Sequence, residues 1–125
     1  MGEQYHEPVE LIPEDDRNII RALISVKEEI EAIFWYHQRA VASQDEALRQ
    51  IMMHNRDEEI EHAVMGLEYL RRKMPAFDEE MRTYLFTNAP ITQIEELAEA
   101  GEGGEQAADA SKPKNQTDLG IGKMK

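Results

Sequence analysis

The sequence contains no cysteine. That excludes disulfides and thiolate metal sites together, so any metal this chain holds must rest on oxygen and imidazole nitrogen. Basic charge is also scarce: 14 Lys and Arg stand against 26 Asp and Glu, for a net charge of -12. Such a surface repels phosphate backbones and anionic lipid while drawing cations, so neither nucleic acid nor a membrane is an expected partner. Long apolar runs are missing as well. The longest, Ala32 to Tyr36, falls far short of the ~20 residues a membrane span needs. The opening residues, MGEQYHEPVE, have no basic start and no apolar stretch, and His6 stands where a myristoylation motif requires Ser or Thr. A cytoplasmic location is expected.

What the chain does have is helical periodicity. Its 125 residues, 32% charged and 41% apolar, suffice for one small domain without surplus core. Pro13, followed by three acids, marks a helix entrance, and the pattern runs from about Glu14 to Ala42. The stretch Ser43 to Glu46 reads as a capping box, and a second helix is expected from Glu46 to about Lys73, where Met74-Pro75 ends it. A shorter segment follows from about Phe77 to Phe86, then a break at Pro90, then a last helix whose cap would be Thr92 with Glu95. The expected fold is all-α: an antiparallel two-helix hairpin plus short C-terminal helix, over residues 1–100.

Both long helices carry a heptad-like seam. On the first it is Ile19, Leu23, Val26, Ile30, Ile33 and His37; on the second it is Leu48, Met52, Asn55, Glu59, His62, Gly66 and Tyr69. Two helices make half of a four-helix bundle, so a second hairpin is expected to cover the stripe, most simply about a twofold axis. The middle of the second seam is polar, however. Burying an ionised Glu without a partner costs several kcal/mol, comparable with a small domain's whole stability. Glu29, on the edge of the first seam with Tyr36 beside it, is placed to face Glu59 and His62. Carboxylates with neutral imidazole are the donor set of iron and manganese sites in bundles. Such sites take a Glu from each of two helices and a Glu-x-x-His from each of two others. This chain supplies one of each, half of a dinuclear centre that a twofold dimer would complete.

Two long segments, SVKEEIEAIFWYHQR and HNRDEEIEHAVMGLEYLRR, together with RTYLFT and PIT, resemble the encapsulated ferritins over roughly residues 5 to 93. The resemblance implies a ferroxidase centre built across a dimer interface, oxidising Fe(II) with two irons per dimer. It carries the ligand roles onto Glu29, Glu59 and His62, the three residues the seam singles out. It further implies an outer, iron-admitting site at Glu28, Glu31 and Trp35, and assembly of dimers into a ring, a decamer. Without it, the outer three read equally well as a solvated acidic face with one exposed aromatic. Tyr36 is a candidate contact to the centre. His54, Glu58 and Glu61 read as solvated charge alongside Arg56 and Asp57, and His37 as a satisfied core histidine.

From Gly101 the composition shifts to small and polar residues, and 101–116 read as a flexible linker. The chain then turns apolar in residues 117–125. Leu119, Ile121 and Met124 could anchor a docking peptide there, with Gly120 and Gly122 letting its backbone lie close to a surface. This tail is similar to the LGIG-type cargo-loading peptides of encapsulin systems, which implies residence inside an encapsulin nanocompartment by binding the shell protein. Two other functions compete with the ferroxidase reading. One is a Mg-dependent all-α nucleotide pyrophosphohydrolase, which would need a basic cluster to meet polyphosphate and gives a seam histidine no role. The other is a helical-hairpin adaptor in which Asn55, Glu59 and His62 only set pairing register.

Overall fold

The computed structural model describes residues 5–101. Four α-helices carry these residues: α1 (Glu14–Ala42), α2 (Glu46–Lys73), α3 (Pro75–Tyr84) and α4 (Ile91–Gly101), preceded by a short 3-10 turn at Val9–Leu11. No strand is present among the described residues, and no described helix is long and apolar enough to cross a membrane. The chain divides into a first unit ending at Lys73 and a second beginning at Met74. The linker and the peptide carrying Leu119 to Met124 lie outside the described residues.

The first unit is the antiparallel hairpin of α1 on α2. At its entrance Glu14, Asp15 and Asp16 occupy the first turn of α1, where negative charge meets the exposed N–H groups and positive end of the helix dipole. Arg17 donates to the carbonyls of Val9 (2.7 Å) and Ile12 (2.8 Å), tying the preceding turn to the helix. At the other end the Ser43 N–H closes α1 on Arg39 O at 3.1 Å.

The link between the two long helices differs from the expected capping box. Asp45 caps α2: its Oδ1 accepts from the N–H groups of Ala47 (3.0 Å) and Leu48 (3.3 Å). Ser43 is already occupied as the C-cap of α1, and its hydroxyl instead accepts from the Asp45 N–H at 3.1 Å. Glu46 points along the helix to Gln50 (2.8 Å) instead of back. The link is therefore short, with Ser43 ending α1 and Asp45 starting α2.

In the second unit, α3 starts two residues earlier than expected because Pro75 takes the first helical position, where its missing N–H is no loss. It ends at Tyr84, ahead of the expected Phe86, whose backbone is left-handed (φ 61°) and whose side chain is 95% exposed. Thr92 lies inside the first turn of α4 and does not cap it. Pro90 takes that place, its carbonyl accepting from the N–H groups of Gln93 (3.0 Å) and Ile94 (3.1 Å).

The hairpin's core is small. Val26, Ala40, Ala63 and Leu70 are its buried apolar residues. The line of contact is rotated by about one residue from the expected seams. Leu23, Ile30 and His37 of α1 are exposed, whereas Glu29 and Tyr36 are half-buried. On α2, Leu48, His62 and Tyr69 are exposed, and Ala63 and Leu70 take the interior. Small residues hold much of this line: Ala40 and Ala63 are buried on it and Gly66 abuts Val26, with Leu70 as the one bulky side chain fully enclosed among the described residues, while the other large apolar side chains stay on the flanks. Large apolar side chains thus remain on the surface, Ile30 at 53% and Phe34 at 59% exposure among them.

Candidate metal centre

Glu29 reaches the hairpin face from α1, three residues after buried Val26, while Glu59 and His62 come one turn apart on α2. His62 Nδ1 stands 3.6 Å from Glu59 Oε1 and 3.7 Å from Glu29 Oε1. One donor atom from each of the three falls within 4.8 Å of the others, and among the described residues this is the one group of three or more acidic or imidazole side chains so placed. The carboxylate side chains are 26% and 29% exposed and the imidazole 46%, so the cluster is walled by the hairpin on one side and open on the other.

Its electrostatics are unfavourable without a cation. The Glu29 carboxyl is held above the ordinary carboxylate range, first by the hydrogen-bonding contact with the Glu59 carboxyl, then by burial and by the negative charge of Glu59. His62 pulls in the opposite direction and does not cancel the rise. Two carboxylates crowded in this way share a proton or a metal ion. Three oxygen and nitrogen donors on one side of a half-open site suit a hard or borderline divalent ion such as Fe(II), and leave room for ligands from elsewhere. The residues fit iron.

Glu28, Glu31 and Trp35 lie on the exposed side of α1, away from the Val26 and Ala40 contact line. Tyr36 is half-buried on the Glu29 edge, with the Arg39 guanidinium 5.5 Å from its ring centre. His54 and Glu58 form an exposed pair at 3.7 Å, apart from the cluster. His37, expected in the core, is on the surface, where the Arg56 guanidinium reaches its Nδ1 at 3.1 Å. Arg56 is the reverse case, expected in solvent and only 21% exposed, while also paired with Asp57 at 2.9 Å. Its position seven residues before Ala63, two helical turns along the same face, was the signal for its burial.

A family model described as EncFtn-like matches residues 4–88. A "Ferritin-like protein" of Thermotoga maritima is 60% identical over 101 residues, covering 81% of this chain and 89% of the relative. An "Encapsulated ferritin-like protein" of Rhodospirillum rubrum is 51% identical over 121 residues, 96% of this chain and 86% of the relative. A solved crystal structure of a protein from Nitrosomonas europaea superposes with a TM-score of 0.67 at 52% identity, covering 70% of this chain and 96% of that one. With the hairpin and its Glu-Glu-His cluster in place, these likenesses agree: the chain belongs to the EncFtn-like family of ferritin-like proteins.

Proposed function

We propose that the chain is a ferroxidase that oxidises Fe(II) to Fe(III) at a di-iron centre shared by two copies, for storage inside an encapsulin shell. The Glu29, Glu59 and His62 cluster carries this reading. Each copy contributes two carboxylates and one imidazole, and a twofold axis through the open side doubles the set to that of a dinuclear carboxylate site. The irons are substrate. Carboxylates stabilise Fe(III) over Fe(II), which favours oxidation at the centre. Each iron gives up one electron, and the pair reduces dioxygen to hydrogen peroxide with uptake of two protons.

The exposed apolar surface supports association. At 100° per residue, Glu29 and Tyr36 flank Val26 on one side of α1, and Leu23, Ile30 and Phe34 flank it on the other. A chain with the open edge of the cluster on one side and an exposed apolar flank on the other can pair through each of them, and two different twofold contacts close a ring of dimers, a decamer by family likeness. Glu28, Glu31 and Trp35 form the acidic approach on the outer face through which iron reaches the centre. Tyr36 borders the centre without ligating it. The Rhodospirillum rubrum relative is named as encapsulated. By that likeness residues 117–125, with Leu119, Gly120, Ile121, Gly122 and Met124, are the address that docks this chain in its shell.

Aerobic Fe(II) oxidation by the wild type and by Glu29→Ala, Glu59→Ala and His62→Ala tests the reading. Wild type is expected to outpace iron in buffer and all three variants to lose the advantage. A wild type no faster than free iron rejects the ferroxidase and leaves the adaptor. Anaerobic titration should give about two Fe(II) per dimer.

A further inference from the structure

Of the seven glycines in the sequence, Gly66 alone lies inside the two long helices. Glycine in a helix interior costs stability relative to alanine, so its presence there needs a compensating gain. Backbone freedom is not that gain, because no described glycine has a positive φ. Contact is. A Cβ at Gly66 would stand 2.5 Å from Cγ2 of Val26 and 3.9 Å from its Cβ. Val26 is itself buried, and a helical valine has one strongly preferred rotamer, so the methyl cannot swing aside.

The contact sits beside the metal centre. Val26 precedes Glu29 by three residues on α1, and Gly66 follows His62 by four on α2. The helices therefore approach each other about one turn from the ligands. Because the ligands are divided between the helices, the separation of α1 and α2 enters their spacing directly.

We propose that Gly66 is a positioning residue: seated against Val26, it sets the helix separation at which Glu29 meets Glu59 and His62. This rests on the metal-binding reading of that cluster. Carbon atoms in ordinary contact lie ~3.5 Å or more apart, so a methyl at Gly66 drives the helices apart by about 1 Å. Metal sites tolerate about 0.2 Å in ligand distance. The same geometry predicts its own remedy. Removing the Val26 methyls leaves its Cβ 3.9 Å from the new one, an ordinary contact, so Val26→Ala should cancel Gly66→Ala.

The test uses the full chain, with Co(II) as a probe that oxygen does not turn over, binding followed by calorimetry and by the cobalt absorption bands. Gly66→Ala is expected to weaken Co(II) binding by about tenfold or more, and Val26→Ala/Gly66→Ala to return it to within about threefold of wild type with the wild-type spectrum. A purely structural role would return the melting temperature in the double variant without returning the spectrum, and that overturns the proposal. So does Gly66→Ala binding as wild type does. If Gly66→Ala fails to fold, the double variant decides: it must fold and bind. A wild type that binds no Co(II) in a His62-dependent manner rejects the metal centre itself, and the positioning role falls with it.

Discussion

The Glu29 carboxylate on α1 stands 3.7 Å from Nδ1 of His62 on α2. This pairing joins residues that no local motif connects, and it exists because α1 packs on α2 along a line where Ala40 and Ala63 are buried and Gly66 abuts Val26. The other acid of the cluster, Glu59, crowds Glu29 more than it helps it, so the hairpin holds two acids in a conflict that a cation would resolve. That conflict sets the first two predictions.

Glu29→Gln removes one charge and keeps the shape. The metal-free protein is expected to become more stable by roughly 0.2–1 kcal/mol, since the two carboxylates no longer oppose each other at a partly exposed site. The same variant should lose divalent-metal binding. Thermal unfolding with and without Co(II) checks both, and a Glu29→Gln protein less stable than wild type when metal-free would contradict the account of the cluster.

Two carboxylates respond to pH in opposite directions. The folded-state value of Glu29 is raised above 4.5, so the fold favours its protonated form. That contribution is complete below 4.5 and is lost as pH rises through the raised value, while metal affinity grows over the same window. Glu68 is pulled down to about 2 by hydrogen bonds from Arg71 and Arg72. Its contribution is present above 4.5 and disappears as pH falls towards 2. Urea titrations from pH 2 to 7 should therefore show the acid-side loss removed by Glu68→Gln, and the opposing trend above about pH 4.5 removed by Glu29→Gln.

Asp45 satisfies two N–H groups at the start of α2. Asp45→Ala should cost about 1 kcal/mol, measured by chemical denaturation. Ser43→Ala should cost less, because the Ser43 hydroxyl meets a link N–H and no helical one. The reverse order would favour the capping box over the structure. Co(II) stoichiometry should be unchanged in either variant, since the link lies at the far end of the hairpin from Gly66.

Deletion of residues 117–125 separates the two proposed halves of the function. Co-expressed with an encapsulin shell, the truncated chain should no longer be captured, and its rate of Fe(II) oxidation should match wild type. Capture retained at wild-type level would refute the address role of Leu119, Ile121 and Met124.

The sequence by itself determined the local structure. Pro13, the acids after it and Met74-Pro75 bound the two long helices where α1 begins and α2 ends, because entry and termination depend on residues within one turn. It also determined the chemistry available: with no cysteine and an ExxH on a half-buried face, only carboxylate and imidazole donors were to hand. What the tertiary structure decided is the rotation of the helices. Periodicity ranks large apolar residues as core, and so placed Leu23, Ile30, Leu48 and Tyr69 between the helices. Backbone approach instead rewards the smallest side chains, which carry little hydrophobic signal. That choice moved His62 to the rim and left Leu23, Ile30 and Phe34 outside as an exposed apolar flank. The Val26 contact of Gly66 was hidden for the same reason, since it depends on a distance that exists only after the helices have met; the Asp45 cap is local, and it displaces the expected Ser43 cap because Ser43 already ends α1.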